Sequence, residues 1–188
     1  MGSTNGVRLG GRKQSWPHWT TPESFVELVL RVGPIALDPF WNEQAVTHPA
    51  VRLVEGGAMD GLTQTWKTVQ SGLVFANPPY KQTAVVVGKC KAEADEGREI
   101  ILLVAARTDS QWAHQCLTTA DALCFWKGRI KFGNPPPDSP GNAPSIASAV
   151  YYWGPSRRLF LQTFAPKGFV LDLRQLRKRE SFPVRVTP

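Results

Sequence analysis

The chain has 188 residues, 42% hydrophobic and 20% charged, a balance typical of one globular domain. No apolar run approaches the roughly twenty residues of a membrane span, and the N-terminus lacks a hydrophobic secretory segment, so we expect a cytoplasmic protein. Cys90, Cys116 and Cys124 form no close pair, which predicts neither a disulfide framework nor a metal site. The net charge of +7 favours a polyanionic partner such as nucleic acid.

The N-terminal part predicts a disordered segment followed by a helix. Residues 1–15 are rich in Gly, Ser and Arg and should be mobile. A helix is predicted to begin at Thr20-Thr21-Pro22-Glu23, because either threonine can cap it and proline suits its first turn. Gly33-Pro34 should end this helix.

Short apolar runs then alternate with helical patterns, which is typical of an α/β fold. The predicted strands of this part cover residues 35–37, 51–54, 73–76 and 100–105, and the predicted helices cover 82–96 and 108–117. The first strand leads into Asp38-Pro39 and the third into Asn77. Since ligands bind at the carboxyl ends of strands in such sheets, Asp38 and Asn77 are candidate site residues.

The second half predicts strands without intervening helices, over residues 122–126, 129–132, 149–153 and 159–164. We therefore expect a mostly parallel sheet with an antiparallel C-terminal edge. The domain should span residues 16–172 and include a proline-rich loop, 133–147, that either reads DNA or only connects strands. A basic tail, 173–188, should follow, either binding the DNA backbone or presenting solvated charges.

The tetrapeptide Asn77-Pro78-Pro79-Tyr80 is the most specific signal in the sequence. An exocyclic amine on a planar base is a poor nucleophile because its lone pair is delocalised into the ring. The Asn77 side-chain oxygen and the Pro78 carbonyl can accept its two N–H groups and stabilise the developing positive charge. The prolines hold that carbonyl in place before substrate arrives, and Tyr80 offers a flat surface for an extruded base.

Several motifs together resemble the phage-type N6-adenine DNA methyltransferase (Dam-type) family. The matching segments, in order, are Trp19-Thr20-Thr21-Pro22, Leu37-Asp38-Pro39, Asp60-Gly61-Leu62 with Trp66, Asn77-Pro78-Pro79-Tyr80, Arg107-Thr108-Asp109 with Trp112, and Gly128-Arg129-Ile130-Lys131-Phe132. They extend over most of the chain. This resemblance implies a Rossmann-like methyltransferase fold, a phage or prophage origin, and S-adenosyl-L-methionine as cofactor.

The resemblance also implies which residues contact the cofactor. Asp38, followed by Pro39, matches the position that holds the cofactor near its methionine part, and Asp60 matches the acidic position that contacts its adenosine part. Asn77 is a further expected cofactor contact. The segment Trp19 to Pro22 matches the one that closes over it. Many amino-methyltransferases continue with a Gly-x-Gly turn after Asp-Pro-Phe, whereas this chain continues with Trp41-Asn42-Glu43.

Four further side chains are candidates on position alone. Glu55 ends the second predicted strand, where an acid either binds ribose hydroxyls or is simply solvated. Arg107, Arg129 and Lys131 lie at the ends of predicted strands or in the predicted edge hairpin, and each either contacts DNA phosphates or is an ordinary solvated cation. The candidate DNA-binding residues are these three cations together with Tyr80, named above.

The function expected from these observations is site-specific methylation of a flipped-out adenine in double-stranded DNA. Two alternatives remain at this stage. The same tetrapeptide suits methylation of RNA amino groups or of a protein glutamine, since each presents a planar nitrogen. A catalytically silent DNA-binding protein with the same fold is the other alternative.

Overall fold

The computed structural model describes residues 20–52, 61–66, 72–133 and 144–179. The predicted disordered segment 1–15, residues 134–143 of the predicted loop and residues 180–188 of the predicted tail lie outside these ranges. Within the described ranges, none of the helices combines the length and hydrophobicity that crossing a membrane requires.

The described residues form strands and helices that alternate along most of the chain. The strands are β1 (Ile35–Asp38), β2 (Val51–Arg52), β3 (Leu73–Ala76), β4 (Glu99–Ala105), β5 (Ala122–Trp126), β6 (Ser148–Trp153) and β7 (Gly168–Asp172). The helices are α1 (Glu23–Val32), α2 (Thr83–Asp95), α3 (Gln111–Thr119), α4 (Arg157–Phe164) and α5 (Leu173–Arg179). Short 3-10 turns occur at Tyr80–Gln82 and Ala165–Lys167.

The strands form one mixed sheet in the order β2-β1-β3-β4-β6-β5-β7. The pairings β2–β1, β1–β3 and β3–β4 are parallel, whereas β4–β6, β6–β5 and β5–β7 are antiparallel. The α/β class is therefore confirmed, but half of the described pairings are antiparallel and no parallel majority is found among them. Because β6 is antiparallel to both β4 and β5, β5 points the same way as β1, β3 and β4.

A hydrophobic layer covers each face of the sheet. Alternate residues of β3 and β4 contribute to opposite layers, as the two-residue period of a strand requires: Val74 and Ala76 belong to one layer, and Leu73 and Phe75 to the other. Helices α2 and α3 cover the first face, where Cys90 and Cys116 are buried. Helices α1 and α4 cover the second face. The core thus keeps the strand ends fixed relative to one another.

Helix α1 begins where the sequence predicts, but not with the predicted cap. Pro22 occupies the N-cap position, and no side chain caps the helix. The Pro22 carbonyl accepts the backbone N–H groups of Phe25 and Val26 at 2.9 and 3.1 Å. The expectation that Thr20 or Thr21 caps α1 was therefore wrong, and the Thr21 hydroxyl is left for another partner.

Two predicted strands are not strands. Residues 129–132 form no strand, although Ile130 and Phe132 are buried. Residues 159–164 belong to α4, because Phe160 and Phe164 lie one helical turn apart, both fully buried, with ring centroids 4.6 Å apart. Strand β7 was not predicted.

Candidate active site

The neighbouring strands β1 and β3 bring the two principal candidates to one edge of the sheet, where the space outside the strand ends is the candidate crevice. Strand β2 pairs with one edge of β1, and β3 pairs with the other edge. The strand order therefore reverses between β1 and β3. Asp38 ends β1, and Asn77 directly follows β3. In open α/β sheets, ligands bind outside the carboxyl ends of the strands at such a switch point. The predicted proximity of Asp38 and Asn77 therefore arises from the strand order itself.

Asp38 is a buried carboxylate, with 5% of its surface exposed. Its Oδ1 atom accepts the Phe40 backbone N–H at 3.0 Å, and its Oδ2 atom accepts the Thr47 hydroxyl at 2.6 Å. Burial raises the pKa of Asp38 to about 6, and the hydrogen bonds from Thr47 and Phe40 offset only part of that effect. The carboxylate thus holds the turn after β1 and places a negative charge in a poorly solvated position.

The turn after β1 is covered by residues 61–66. Gly61 packs so closely that a Cβ atom there would overlap the Pro39 carbonyl oxygen. The fully buried Trp66 fixes this segment, because its ring N–H donates to the Gly61 carbonyl at 3.0 Å and its backbone N–H donates to Glu93 at 3.0 Å. The turn itself lacks the glycines of a Gly-x-Gly sequence. The close approach at Gly61 is to the Pro39 backbone, and only a residue without a Cβ atom allows it.

The Asn77 side chain is held by the segment that precedes α1. Its Nδ2 atom donates to the Thr21 hydroxyl oxygen at 3.0 Å, and Thr21 is buried. Since the amide nitrogen is used in this bond, Oδ1 is the atom of Asn77 suited to accept a hydrogen bond from a ligand.

The rest of the tetrapeptide forms a rigid turn at the surface. Pro78 is buried, whereas Pro79 is exposed and the Tyr80 side chain is 58% exposed. The Pro79 carbonyl accepts the Gln82 N–H at 2.9 Å, and the Tyr80 carbonyl accepts the Thr83 hydroxyl at 3.0 Å. Partial burial raises the pKa of the Tyr80 hydroxyl. An aromatic side chain three residues after Asn77 is therefore open to solvent.

A short bridge joins the N-terminal segment to residues 129–133. The Thr20 N–H donates to the Gly133 carbonyl at 3.1 Å, and the Gly133 N–H donates to the Thr20 carbonyl at 2.9 Å. Residues 20–22, predicted to lie over the cofactor, thus contact both the tetrapeptide and the segment after β5.

The predicted DNA-binding cations lie at the same edge of the sheet. Arg107 follows β4, and Arg129 and Lys131 follow β5, which points the same way. Arg107 is exposed and makes two hydrogen bonds of 3.1 Å to Asp109, which raise the pKa of the Arg107 guanidinium and lower the pKa of Asp109. Arg129 donates to the Ser145 carbonyl at 3.2 Å, and Lys131 is exposed.

Three predicted cofactor contacts, Trp19, Glu55 and Asp60, lie outside the described residues. Two side chains of the site were not recognised in the sequence as partners. Thr47 contacts Asp38 from an irregular segment with no motif, and Thr21 was assigned to the cofactor rather than to Asn77. Both contacts join residues distant in sequence, which no local pattern reveals.

The cysteines take no part in this crevice. Cys90, Cys116 and Cys124 are free and buried in the core. Burial raises the pKa of the Cys116 and Cys124 thiols to about 12, so both stay protonated.

A polar cavity lies at the edge of the sheet opposite to Asp38 and Asn77. Arg98, Asp121 and Arg174 are among its lining residues. Asp121 already accepts the Gly154 N–H at 2.8 Å and the Arg174 guanidinium at 2.8 Å. This cluster joins α5 to the sheet and lies away from Asp38 and Asn77.

The comparison with protein families agrees with this geometry. The family model for DNA N-6-adenine-methyltransferase (Dam) matches residues 11–165, most of the chain. The chain belongs to the Dam family. Its resemblance to that family, expected from the sequence motifs, is thereby confirmed, and DNA adenine methylation is the activity that the family implies.

The Dam family match covers the crevice but not the whole fold. Asp38, Asn77 and the bridge between Thr20 and Gly133 fall inside it, whereas β7 and α5 follow its last matched residue. A comparison of the chain with curated proteins gave no significant match.

Proposed function

We propose that this Dam-family chain transfers a methyl group from S-adenosyl-L-methionine to the N6 atom of a flipped-out adenine in double-stranded DNA. The observation that carries the proposal is the position of Asn77. Its amide, fixed through the nitrogen, directly follows β3, the strand that pairs with β1 and its terminal Asp38, at the switch point of the mixed sheet.

The residues around the crevice fit the proposed cofactor. S-adenosyl-L-methionine is cationic at its sulfonium and ammonium groups, and a buried carboxylate such as Asp38 is stabilised by a neighbouring cation. Asp38-Pro39 and Thr20-Thr21-Pro22 would border the methionine part, while Trp19, Glu55 and Asp60 are the proposed contacts outside the described residues. When bound, the cofactor supplies an electrophilic methyl group.

The tetrapeptide supplies the acceptors that the amine needs. Asn77 Oδ1 and the Pro78 carbonyl oxygen would accept the two N6 hydrogens, which localises the nitrogen lone pair and stabilises its developing positive charge. Both acceptors are fixed before substrate binds: Asn77 by Thr21, and Pro78 by its ring and its burial. This chemistry requires no covalent nucleophile from the protein.

The surface next to these acceptors suits an extruded base. Tyr80 is exposed beside Asn77 and offers the stacking surface that a base needs once it leaves the duplex. Arg107, Arg129 and Lys131 would contact phosphates, and residues 133–147 would read base edges. A phage or prophage setting, in the host cytoplasm, belongs to the same proposal.

Methylation of a defined duplex DNA, followed by sequencing for modified adenines, tests the proposal directly. We expect transfer of labelled methyl groups to adenine in DNA, and not to RNA or protein of matched concentration. Asn77→Ala should abolish turnover while calorimetry still detects cofactor binding. Gln162→Ala, which removes an exposed amide from α4, is the matched control and should leave turnover unchanged.

Three outcomes would overturn the proposal. They are a wild-type protein that binds no S-adenosyl-L-methionine, labelling confined to RNA or protein, and full turnover of Asn77→Ala. The second outcome would reassign the acceptor and keep the fold.

A further inference from the structure

We infer that Thr47 is a positioning residue for cofactor binding: its buried hydroxyl donates to the Asp38 carboxylate and holds that group in the ionised form that a cationic cofactor requires. The inference rests on the proposed function, which gives Asp38 a cationic partner. Its basis is the hydrogen bond of 2.6 Å from Thr47 Oγ1 to Asp38 Oδ2.

The direction of this hydrogen bond follows from the chemistry of the carboxylate. An ionised carboxylate has only acceptor atoms, so the Thr47 hydroxyl must be the donor. A hydrogen bond to a charged acceptor is roughly twice as strong as one between neutral groups. The contact therefore stabilises the ionised form of Asp38 more than the protonated form.

Both groups are withdrawn from water, which makes this donor important. Thr47 is 2% exposed and Asp38 is 5% exposed, so water supplies little of the solvation that an ionised carboxylate needs. Burial raises the pKa of Asp38, whereas the hydrogen bonds from Thr47 and from the Phe40 backbone lower it. Of these two donors, only the Thr47 hydroxyl belongs to a side chain, so substitution can remove it.

The chain between β1 and β2 places Thr47 against Asp38. Asp38 ends β1, and Thr47 lies shortly before β2, which begins at Val51, level with Leu37 of β1. The Asp38 oxygens thus take one donor from each end of this connection, Phe40 on Oδ1 and Thr47 on Oδ2. Each oxygen keeps a further lone pair for a ligand.

The titration of Asp38 has to be separated from that of its neighbours. Glu43 and His48 lie in the same connection, and both are exposed. The elements packed around Asp38 also carry titratable residues, namely Arg52, level with Asp38 in β2, and the Lys89–Glu93 pair of α2. Histidine ordinarily titrates in the range in which Asp38 does, so His48→Gln is the matched control.

Two substitutions at Thr47 separate the hydroxyl from the shape of the side chain. Thr47→Val removes the donor and nearly keeps the volume, whereas Thr47→Ser keeps the hydroxyl. In the cofactor-free protein, Thr47→Val should move the titration midpoint of the Asp38 carboxyl upward by about one pH unit, the size expected for losing a hydrogen bond to a charged group. Thr47→Ser and His48→Gln should leave this midpoint nearly unchanged. Carbon-13 NMR follows the carboxyl resonance, which is identified by its absence from Asp38→Asn.

The affinity for S-adenosyl-L-methionine should follow the charge of Asp38. With the midpoint about one pH unit higher, Thr47→Val should bind the cofactor about fivefold more weakly than wild type at pH 6 and almost equally at pH 8. Calorimetry at the two pH values measures this difference. In the Asp38→Asn background there is no carboxyl to ionise, so adding Thr47→Val should leave the affinity nearly unchanged at both pH values.

Several results would overturn the inference while leaving methyl transfer to DNA intact. One is an unchanged Asp38 midpoint in Thr47→Val. Another is a loss of affinity that is the same at pH 6 and pH 8, or the same in the Asp38→Asn background, because a purely structural effect of Thr47 would act in this way. A midpoint that moves without any change in affinity at pH 6 would separate the charge of Asp38 from cofactor binding.

Two further measurements keep the outcomes distinct. Thermal unfolding shows whether Thr47→Val is folded. If it is not, Thr47→Cys takes its place, since a thiol is a weaker donor than a hydroxyl, and its Asp38 midpoint should also lie above that of wild type. A wild-type protein that binds no S-adenosyl-L-methionine would overturn the proposed function, whatever the NMR titration shows.

Discussion

Asp38 has a cost to the folded protein that its hydrogen bonds do not remove. Both carboxylate oxygens have donors, from Thr47 and from the Phe40 backbone, yet burial still raises the pKa of Asp38 to about 6. A raised pKa means that the charged form is less stable in the folded than in the unfolded chain. A nearby cation, such as the proposed cofactor, would restore the balance.

Replacing Asp38 with Asn should stabilise the protein at neutral pH. Asparagine can still accept the Phe40 N–H and can donate to Thr47, but it carries no charge. The ordinary carboxyl pKa of 3.8 rises to about 6 on folding, so the native state takes up a proton before the unfolded state does. Wild type therefore gains up to about 3 kcal/mol as the pH falls from 7 to 4, and Asp38→Asn lacks that gain.

Urea denaturation of both proteins at pH 7 and pH 4 measures this difference. Asp38→Asn should be more stable than wild type at pH 7, and the advantage should vanish near pH 4. An Asp38→Asn protein that is less stable at pH 7 would contradict the raised pKa.

The same carboxyl should make cofactor binding depend on pH. Because the cationic S-adenosyl-L-methionine favours the ionised form of Asp38, we expect its affinity to rise about tenfold between pH 5 and pH 6.5. Calorimetry across this range measures the effect. Asp38→Asn should bind more weakly and show no such rise, whereas a parallel rise in both proteins would assign the titration to another group.

The junction of β5 and β7 depends on the absence of a side chain at Gly168. A Cβ atom there would overlap the Phe125 carbonyl oxygen. Gly168→Ala should therefore separate the two strands and lower the free energy of unfolding by about 1–3 kcal/mol. Gly88, inside α2, is the matched control, because a Cβ atom there would meet nothing within 4 Å.

In an open position within a helix, alanine is favoured over glycine by about 0.5–1 kcal/mol. Gly88→Ala should accordingly be slightly more stable than wild type in the same urea denaturation. Equal effects of the two substitutions would refute the close approach at Gly168.

The elements that the sequence predicts correctly are those with clear ends. Strands β1, β3 and β4 are continuous apolar runs with clear ends, and α2 ends just before Gly97, as predicted. Residues 129–132 alternate perfectly, with Ile130 and Phe132 buried and Arg129 and Lys131 exposed, but they have no partner strand. Alternation reports which side chains are buried, and pairing depends on what lies beside them.

Helix α4 was predicted as a strand because the spacing of its apolar residues is ambiguous. Phe160 and Phe164 share a face in a helix and also in a strand, since their spacing of four fits both periods. The exposure of Gln162 distinguishes the helix from a strand, because a strand would place Gln162 on the same buried face as the two phenylalanines. That exposure is established only when the helix packs on α1. Only part of the candidate site could be predicted from the sequence. Strand ends predict Asp38 and Asn77, whereas the contacts of Thr47 and Thr21 arise from packing between distant segments.

The molecule is basic, and three of its cations lie at one edge of the sheet. The chain carries a net charge of +7, and Arg107, Arg129 and Lys131 follow strands whose carboxyl ends lie at the Asn77 edge. A duplex bound there releases counterions in proportion to the phosphates contacted.

Replacing Arg129 and Lys131 together with alanine should reduce the slope of log affinity against log salt concentration by about 2, since each phosphate contact contributes roughly 0.9. Fluorescence anisotropy with duplex DNA over a range of salt concentrations measures this slope. Arg158→Ala, an exposed cation of α4 at the opposite edge, should leave it unchanged. A reduction by Arg158→Ala of the same size would place the duplex elsewhere.

The bridge between Thr20 and Gly133 determines when the crevice can be completed during synthesis. The ribosome makes Thr20 well before Gly133, because five strands and three helices lie between Thr20 and its two backbone partners on Gly133. Closing a loop of this length costs chain entropy, and contacts between residues close in sequence do not offset that cost. A nascent chain that ends before Gly133 therefore contains the complete tetrapeptide without the support that this bridge gives to the Thr21 segment. Full support of the Thr21 segment therefore has to wait until Gly133 has been synthesised.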